Sequence, residues 1–468
     1  MAEKREFRAI KGTRDILPPD SALWNWFEAA ARETFEGYGF RDIRTPIFEE
    51  TSLFARSIGV ETDVVSKEMY TFSDPFTSED LLWQSVEQAL SSETRTGESE
   101  AEWLARIRTE FESRPKGEVL TLRPEATASV CRAYIEHGMH TLAGNQKLYY
   151  MGPMFRRERP QKGRYRQFYQ IGAEVLGQSD APGIDAEVIE MLLEFFRRVR
   201  LKKIRLQVNS IGCKECRPGY VELLRGELQK VRDRLGADSQ RRIETNPLRV
   251  LDSKVPEEQE IIEKLPRISD HLCDDCRKHF EALKVEMKLR GIEWEENWRL
   301  VRGLDYYTRT TFEVTAAGLG SQNAVCGGGR YDGLVEMLGG PPTKGIGFAI
   351  GSDRAILSVQ ESGDLPDLPG LAVYVAWMGE KAYLPAIQIT RKLRTAGLAV
   401  ELPPDEMKFK KSLGLADKLG AKYALILGED EVATGIFTLK RLRDAEQKKM
   451  NENDLLEYLE SERRGTGA

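Results

Sequence analysis

The chain has 468 residues, 41% of them hydrophobic and 31% charged, with 69 Lys+Arg against 75 Asp+Glu for a net charge of -6. That balance is expected of a soluble globular protein of two or three domains, not of a fibrous or disordered chain. No run of about 18 apolar residues is present for a membrane span, and the start, Met-Ala-Glu-Lys-Arg-Glu-Phe-Arg, lacks the apolar stretch of a signal peptide. The expected compartment is the cytoplasm.

A first helix is predicted after Pro18-Pro19, where Asp20 or Ser21 caps it, Trp24, Phe27, Ala31, Phe35 and Tyr38 share one face, and Gly37 and Gly39 end it. Phe40 to Phe48 alternates apolar and polar residues past Pro46, which a strand tolerates only at an edge or irregularity. Such a helix and strand suit a subunit boundary. Phe76 to Gly117 carries two helical patterns, Leu81 to Leu90 and Trp103 to Phe111, and reads as an inserted helical hairpin. Strand character resumes at Val119 to Leu122.

Leu148-Tyr149-Tyr150 and Phe168-Tyr169-Gln170-Ile171 have the β-propensity of two strands, continued at Val175-Leu176, while Pro160 and Gly163 supply a turn between them. Between Arg156 and Arg166 stand six cations against one acid, a local excess at odds with the acidic whole. The segment predicts a long basic hairpin. Arginines held at strand ends aim their forks at phosphate oxygens, and the tip, Pro160 to Tyr165, overhangs what lies beyond.

From Ile211 to about Glu296 the chain is helical and charge-rich, a small domain inserted between two halves of a sheet. Glu361 to Gly370, with two prolines and two glycines, is a linker. From Ala372 to Leu427 strands and helices alternate in βαβα order, which predicts a small α/β domain. With 16 basic against 15 acidic residues from 371 to 468, that domain is slightly positive where the remainder is negative, as a polyanion partner would favour.

The chemistry-bearing residues fall in short clusters. In Leu122-Arg123-Pro124-Glu125-Ala126-Thr127 an extended backbone would place Glu125 and Thr127 on one face as a cradle for an ammonium, whereas the same residues serve equally as a helix cap. Gln170 and Glu174, four apart in a strand, share a face and line the same floor as Arg156. An ammonium site beside a phosphate site is the layout amino-acid activation needs. Arg302-Gly303-Leu304-Asp305-Tyr306-Tyr307 precedes a strand at Thr310 to Val314, and offers an arginine, a close backbone approach and two hydroxyls on rigid rings. In Gly327 to Gly333 and Gly345 to Gly351 glycines alternate with apolar residues, as in closely packed strands, before Arg354 begins a helix.

Six cysteines do not make a disulfide framework in a chain of this length. Four of them, Cys213, Cys216, Cys273 and Cys276, pair as CxxC and offer four thiolates to a zinc ion, although the gap between the pairs is wider than in a zinc ribbon. Reduced thiols without metal remain the alternative. The four histidines lie outside the motif-dense segments, so histidine catalysis is not expected.

Taken together, these segments resemble the bacterial histidyl-tRNA synthetase family of class II aminoacyl-tRNA synthetases. The likeness extends from Lys11-Gly12-Thr13-Arg14-Asp15, through Gly59 to Val65 and Lys67 to Phe72, to Gly428-Glu429-Asp430-Glu431. Phe155 to Glu174 resembles the second class II motif, Gly345 to Arg354 the third, and Arg302 to Tyr307 the segment peculiar to the histidine enzyme. The resemblance implies an α+β fold. A class II antiparallel sheet flanked by helices would occupy 1–210 and 297–360, with a helical insertion domain at 211–296 and an α/β anticodon-binding domain at 371–468.

It implies histidine–tRNA ligation with ATP and Mg2+, on a homodimer, with L-histidine and histidine tRNA as substrates and no membrane. It further implies that Glu125, Thr127 and Gln170 hold the substrate ammonium, and that Glu174 and Tyr307, with Tyr306 beside them, meet the imidazole. Arg156 and Arg302 would flank the α-phosphate, Phe168 and Arg354 would sandwich adenine, and Glu158 would lie near its amino group. Arg159, Gln161 and Arg164 would meet the acceptor end of the tRNA. The alternative is a noncatalytic histidine- or tRNA-sensing paralogue, which would be expected to lose the phosphate-binding arginines or the C-terminal domain; here all are present.

Overall fold

The apolar stripe of the first helix is realised at Asp20–Gly37, which buries Leu23, Trp24, Phe27, Ala31 and Phe35. Burial of such side chains contributes on the order of 1.5–3 kcal/mol each. No side chain caps this helix; Asp20 lies in its first turn, where its charge complements the helix dipole. Phe27 and Phe35 meet Phe195 edge-on, and Phe35 also meets Tyr149 and Phe348, so the helix packs on the back of a sheet. The computed structural model describes residues 7–73 except 60, 61 and 63, residues 119–316, and residues 323–465 except 367 and 369. The helical hairpin expected at 76–117 lies outside them.

The strand expected over Phe40 to Phe48 is broken in two. β1 Arg41–Asp42 and β2 Phe48–Glu50 belong to different sheets, and β2 joins β3 Tyr70–Ser73 and β4 Val119–Leu122 in a three-stranded sheet. The break has a physical cause besides Pro46. The Arg123 guanidinium reaches into the turn and donates to the Thr45 carbonyl at 2.9 Å, the Thr45 hydroxyl at 3.0 Å and the Pro46 carbonyl at 3.3 Å.

The basic hairpin forms as read, from β5 Gln146–Phe155 and β6 Gln167–Gly177, with Phe155 paired to Gln167 where the strands meet the connecting turn. β7 Ile204–Ser210, β8 Glu295–Glu296, β9 Thr308–Ala316, β10 Ala324–Arg330 and β11 Lys344–Gly351 complete an eight-stranded sheet in the order β1-β5-β6-β11-β10-β9-β7-β8. Its six central strands are antiparallel. The expected antiparallel sheet thus carries one short parallel strand at each edge, β1 beside β5 and β8 beside β7.

Two compact units divide the chain, up to Asp364 and from Leu365 onward. Within the first, the helices of the 211–296 segment share an apolar cluster with the sheet. Tyr220, Leu224, Ile243, Ile262 and Cys276 join Tyr134, Leu148, Tyr306 and Tyr331 in one apolar cluster. The second unit is the α/β arrangement read from the sequence. β12 Val373–Trp377, β13 Val400–Glu401 and β14 Tyr423–Leu427 run parallel, with helices at Glu380–Thr395 and Phe409–Lys418. Two antiparallel strands the alternation did not announce, β15 Phe437–Arg441 and β16 Gln447–Met450, extend its edge.

Candidate active site

The cleft on the open face of the large sheet is lined by Glu125, Thr127, Arg156, Glu158, Arg164, Phe168, Gln170, Glu174, Arg302, Tyr306, Tyr307 and Arg354. Together with the solvent in its open mouth it spans about 1060 Å³. Arg159 and Gln161, by contrast, sit exposed on the hairpin tip outside this lining.

Alternation along β6 brings Phe168, Gln170 and Glu174 to one face. Glu125 and Thr127 arrive differently from the extended cradle considered above. A helix begins at Thr127, and the Glu125 carboxylate accepts the first free amides, Thr127 N–H at 2.8 Å and Ala128 N–H at 3.0 Å. The helix-cap reading was the right one for the backbone, and both side chains still face the cleft. Burial raises the Glu125 pKa against the pull of those amides.

Glu174 lies at the buried end. Thr127 Oγ1 donates to its Oε1 at 2.8 Å and the Tyr331 hydroxyl to its Oε2 at 2.6 Å. Burial, opposed by these two hydroxyls and reinforced by the Glu125 charge, pushes its pKa up to about 8. Tyr306 and Tyr307 stack beside it with ring centres 4.7 Å apart, and Tyr331 meets Tyr306 edge-on. Tyr331 was not read as a site residue from the sequence. The available signal was physical: a buried tyrosine hydroxyl must find a partner.

The cleft also carries four arginines. Arg156 Nε donates to the Pro124 carbonyl at 2.9 Å, and its guanidinium lies 5.4 Å from the Phe168 ring centre. Arg302 Nη1 pairs with Glu313 Oε2 at 2.7 Å, and Arg164 Nε with Glu158 Oε2 at 2.8 Å. Arg354, near the start of helix Ser352–Ser362, donates to the carbonyls of Gly163 at 3.2 Å and Ala324 at 3.1 Å. Burial, then repulsion from Arg164, lowers its pKa. Asp353 seats that helix by accepting Tyr169 N–H at 2.9 Å and Arg14 Nη2 at 2.8 Å.

Two glycines let the long side chains lie flat on the sheet. A Cβ at Gly327 would land on the Arg302 guanidinium, and one at Gly347 on Glu174 Oε2. Four buried polar atoms of the cleft find no hydrogen-bond partner among the described residues: Arg164 Nε and Glu158 Oε2, which meet only as an ion pair, the acceptor Gln170 Oε1 and the donor Arg302 Nε. Such atoms are costly unless a ligand meets them.

An antiparallel sheet carrying an arginine-rich hairpin and a glycine-strand-to-arginine helix, with acids, hydroxyls and guanidiniums lining one cleft, defines a class II aminoacyl-tRNA synthetase. The Histidyl-tRNA synthetase family model matches residues 85–355, and the Anticodon binding domain model matches 372–462. The histidine–tRNA ligase of Koribacter versatilis is 50% identical over 97% of this chain and 96% of its own length, and that of Solibacter usitatus is 49% identical over 97% and 99%. The apo histidyl-tRNA synthetase structure from S. aureus superposes with a TM-score of 0.73 at 33% identity, covering 97% of this chain and all of that one. The chain belongs to the histidyl-tRNA synthetase family. Its activity is the ligation of histidine to tRNA, for which the class uses ATP with Mg2+, and no helix among the described residues is long and apolar enough to cross a membrane.

Proposed function

We propose that the two ends of the cleft divide the first half-reaction between them, the acid-and-hydroxyl end taking histidine and the guanidinium end taking ATP. One observation carries the division: the orphan acceptor Gln170 Oε1 and the orphan donor Arg302 Nε share one cleft. An ammonium matches the first and a phosphate oxygen the second.

In this reading Glu125, Thr127 and Gln170 hold the substrate ammonium. Glu174 accepts an imidazole N–H, and Tyr307, with Tyr306 packed on it, offers a hydroxyl to the other ring nitrogen. A side chain that leaves either partner unmatched is rejected, because the buried group is then unsatisfied. The histidine carboxylate attacks the α-phosphorus, the bond to pyrophosphate breaks, and Arg156 and Arg302 stabilise the charge that builds on the phosphoryl oxygens. No general base is needed, since the nucleophile is already ionised. Phe168 and Arg354 take the two faces of adenine, with Glu158 near its amino group; Mg2+ neutralises part of the triphosphate charge when bound. The ribose hydroxyl of the terminal adenosine then attacks the carbonyl of the adenylate, the acyl–phosphate bond breaks and AMP leaves with the hydroxyl proton passing to it or to solvent, giving the ester, with Arg159, Gln161 and Arg164 guiding the acceptor end.

Histidine-dependent exchange of labelled pyrophosphate into ATP tests the division. Exchange with histidine and none with the other amino acids is expected. Equal exchange with several amino acids would overturn it.

We infer further that the protein is a homodimer joined near the three-stranded sheet. Ile47, Phe48, Phe72 and Val119 are each at least two-fifths exposed there, and Phe48 meets Phe72 edge-on, an apolar patch unusual on a free surface. Light scattering should give twice the chain mass, and Phe48→Glu with Phe72→Glu should halve it.

A further inference from the structure

We infer that Cys213, Cys216, Cys273 and Cys276 hold one structural zinc ion, and that this ion positions the tyrosine end of the cleft. A tetrahedral zinc with bonds to sulfur of about 2.3 Å sets its four sulfurs about 3.8 Å apart. Here Cys213 Sγ is 3.8 Å from Cys216 Sγ and 3.9 Å from Cys273 Sγ, Cys216 Sγ is 3.9 Å from Cys276 Sγ, and all four lie within 4.8 Å of one another. A disulfide would need a sulfur–sulfur distance of about 2.0 Å. No pair approaches it.

The surroundings suit thiolates. Cys213 N–H points at Cys216 Sγ at 3.3 Å and Glu215 N–H at Cys213 Sγ at 3.4 Å. Cys216 and Cys273 stand at the N-caps of helices Arg217–Lys230 and Asp274–Leu289, so two positive helix ends converge on the cluster. Arg217 lies close enough to Cys213 and Cys216, and Arg309 to Cys276, to feel their charge. Zinc bound by four thiolates carries a net charge of about -2 once the thiol protons have left, and these cations offset it. Gly212 turns at φ +69°, and a Cβ there would meet Cys216 Sγ at 2.9 Å.

The cluster is tied to the tyrosines through short links. Arg217 Nη1 donates to the Tyr307 carbonyl at 2.5 Å. On the neighbouring strand Arg309 N–H donates to the Gly212 carbonyl at 2.8 Å, and Ile211 N–H returns to the Arg309 carbonyl at 2.8 Å. Arg309 itself holds a left-handed φ of +52°, a conformation that costs about 1–2 kcal/mol for a non-glycine residue and persists only where its surroundings fix it. A metal that locks Gly212 to Arg217 therefore fixes the backbone from Tyr307 to Arg309. The metal site stands on the sulfur geometry alone; its effect on histidine rests on the role given to Tyr307 above.

Elemental analysis of protein purified without chelator should find one zinc per chain, and cobalt in its place should give the charge-transfer and d–d absorption of a tetrahedral tetrathiolate. Cys216→Ser with Cys276→Ser should lose the metal. Finding less than about a tenth of an equivalent of zinc in zinc-replete wild-type protein, iron in its place, or a Cys213–Cys216 disulfide would overturn the site. Arg217→Met keeps all four sulfurs. It should retain zinc yet raise the histidine KM about fivefold with the ATP KM unchanged; retained zinc with an unchanged histidine KM overturns the coupling and leaves the metal standing. Tyr307→Phe, measured alongside, reports separately on the histidine reading.

Discussion

The two ends of the cleft satisfy their polar groups in different ways. At the end proposed for histidine the partners are built in: Glu174 is held by Thr127 and Tyr331, and Glu125 by the amides of the helix it caps. At the end proposed for the nucleotide, two guanidiniums rest on carboxylates that a phosphate can replace, Arg302 on Glu313 and Arg164 on Glu158, while Arg156 lies over the Phe168 ring. One end is built to discriminate and must not move. In the proposed reading the other holds Arg302 and Arg164 on carboxylates from which a phosphate would draw them, so its contribution would appear as charge develops on the phosphoryl group.

Arg302→Ala tests this contrast most severely. Adenylate formation should fall about 10²–10³-fold, the loss seen when one charge-stabilising donor is removed, while histidine dissociation changes little; rapid-quench kinetics with an equilibrium histidine titration separate the two. The mirror experiment is Glu174→Gln, which should weaken histidine binding roughly 10- to 100-fold, as removal of a buried polar partner worth about 1–3 kcal/mol does. The ATP KM should stay put, and a rise in both constants would erase the division of labour.

Tyr331→Phe is milder, since only one of the two Glu174 hydroxyl donors is lost. It should raise the histidine KM about five- to tenfold, for about 1 kcal/mol of hydrogen bond. The pH profile sharpens the same point. The ligand-free Glu174 carboxyl, with its pKa pushed up to about 8, is largely protonated at neutrality, and an imidazole N–H favours its ionised form. Histidine affinity should therefore rise as pH increases through about 8, a slope that Glu174→Gln abolishes. The smallest effect is expected outside the cleft. Arg159→Ala should leave pyrophosphate exchange intact, weaken tRNA binding a few-fold and reduce its salt slope by about one.

Much of this was legible before folding, because the relevant spacing is local. Gln170 and Glu174 share a face by strand alternation, and Phe155 to Glu174 announces a hairpin through its own turn residues. The Pro124–Thr127 segment was ambiguous for a local reason as well, since a carboxylate two residues before a hydroxyl suits both an extended cradle and a helix start. What stayed hidden depends on strand order. Tyr331 reaches Glu174 across 157 positions only because β11 lies between β10 and β6. The break at Pro46 depends on Arg123, which lies 77 residues further on. The four sulfurs converge because the N-terminal ends of helices Arg217–Lys230 and Asp274–Leu289 meet, which no ribbon-like spacing could reveal.

Gly327 and Gly347 put part of the site's specification where no functional group exists. A substitution survey that ranks positions by the chemistry they lose would pass over both, since a glycine has nothing to delete. Yet a methyl at either would evict Arg302 or Glu174 from the sheet surface. Inactivating variants at these positions would look like gains of a harmless carbon, and their cause would be found only in the neighbour they displace.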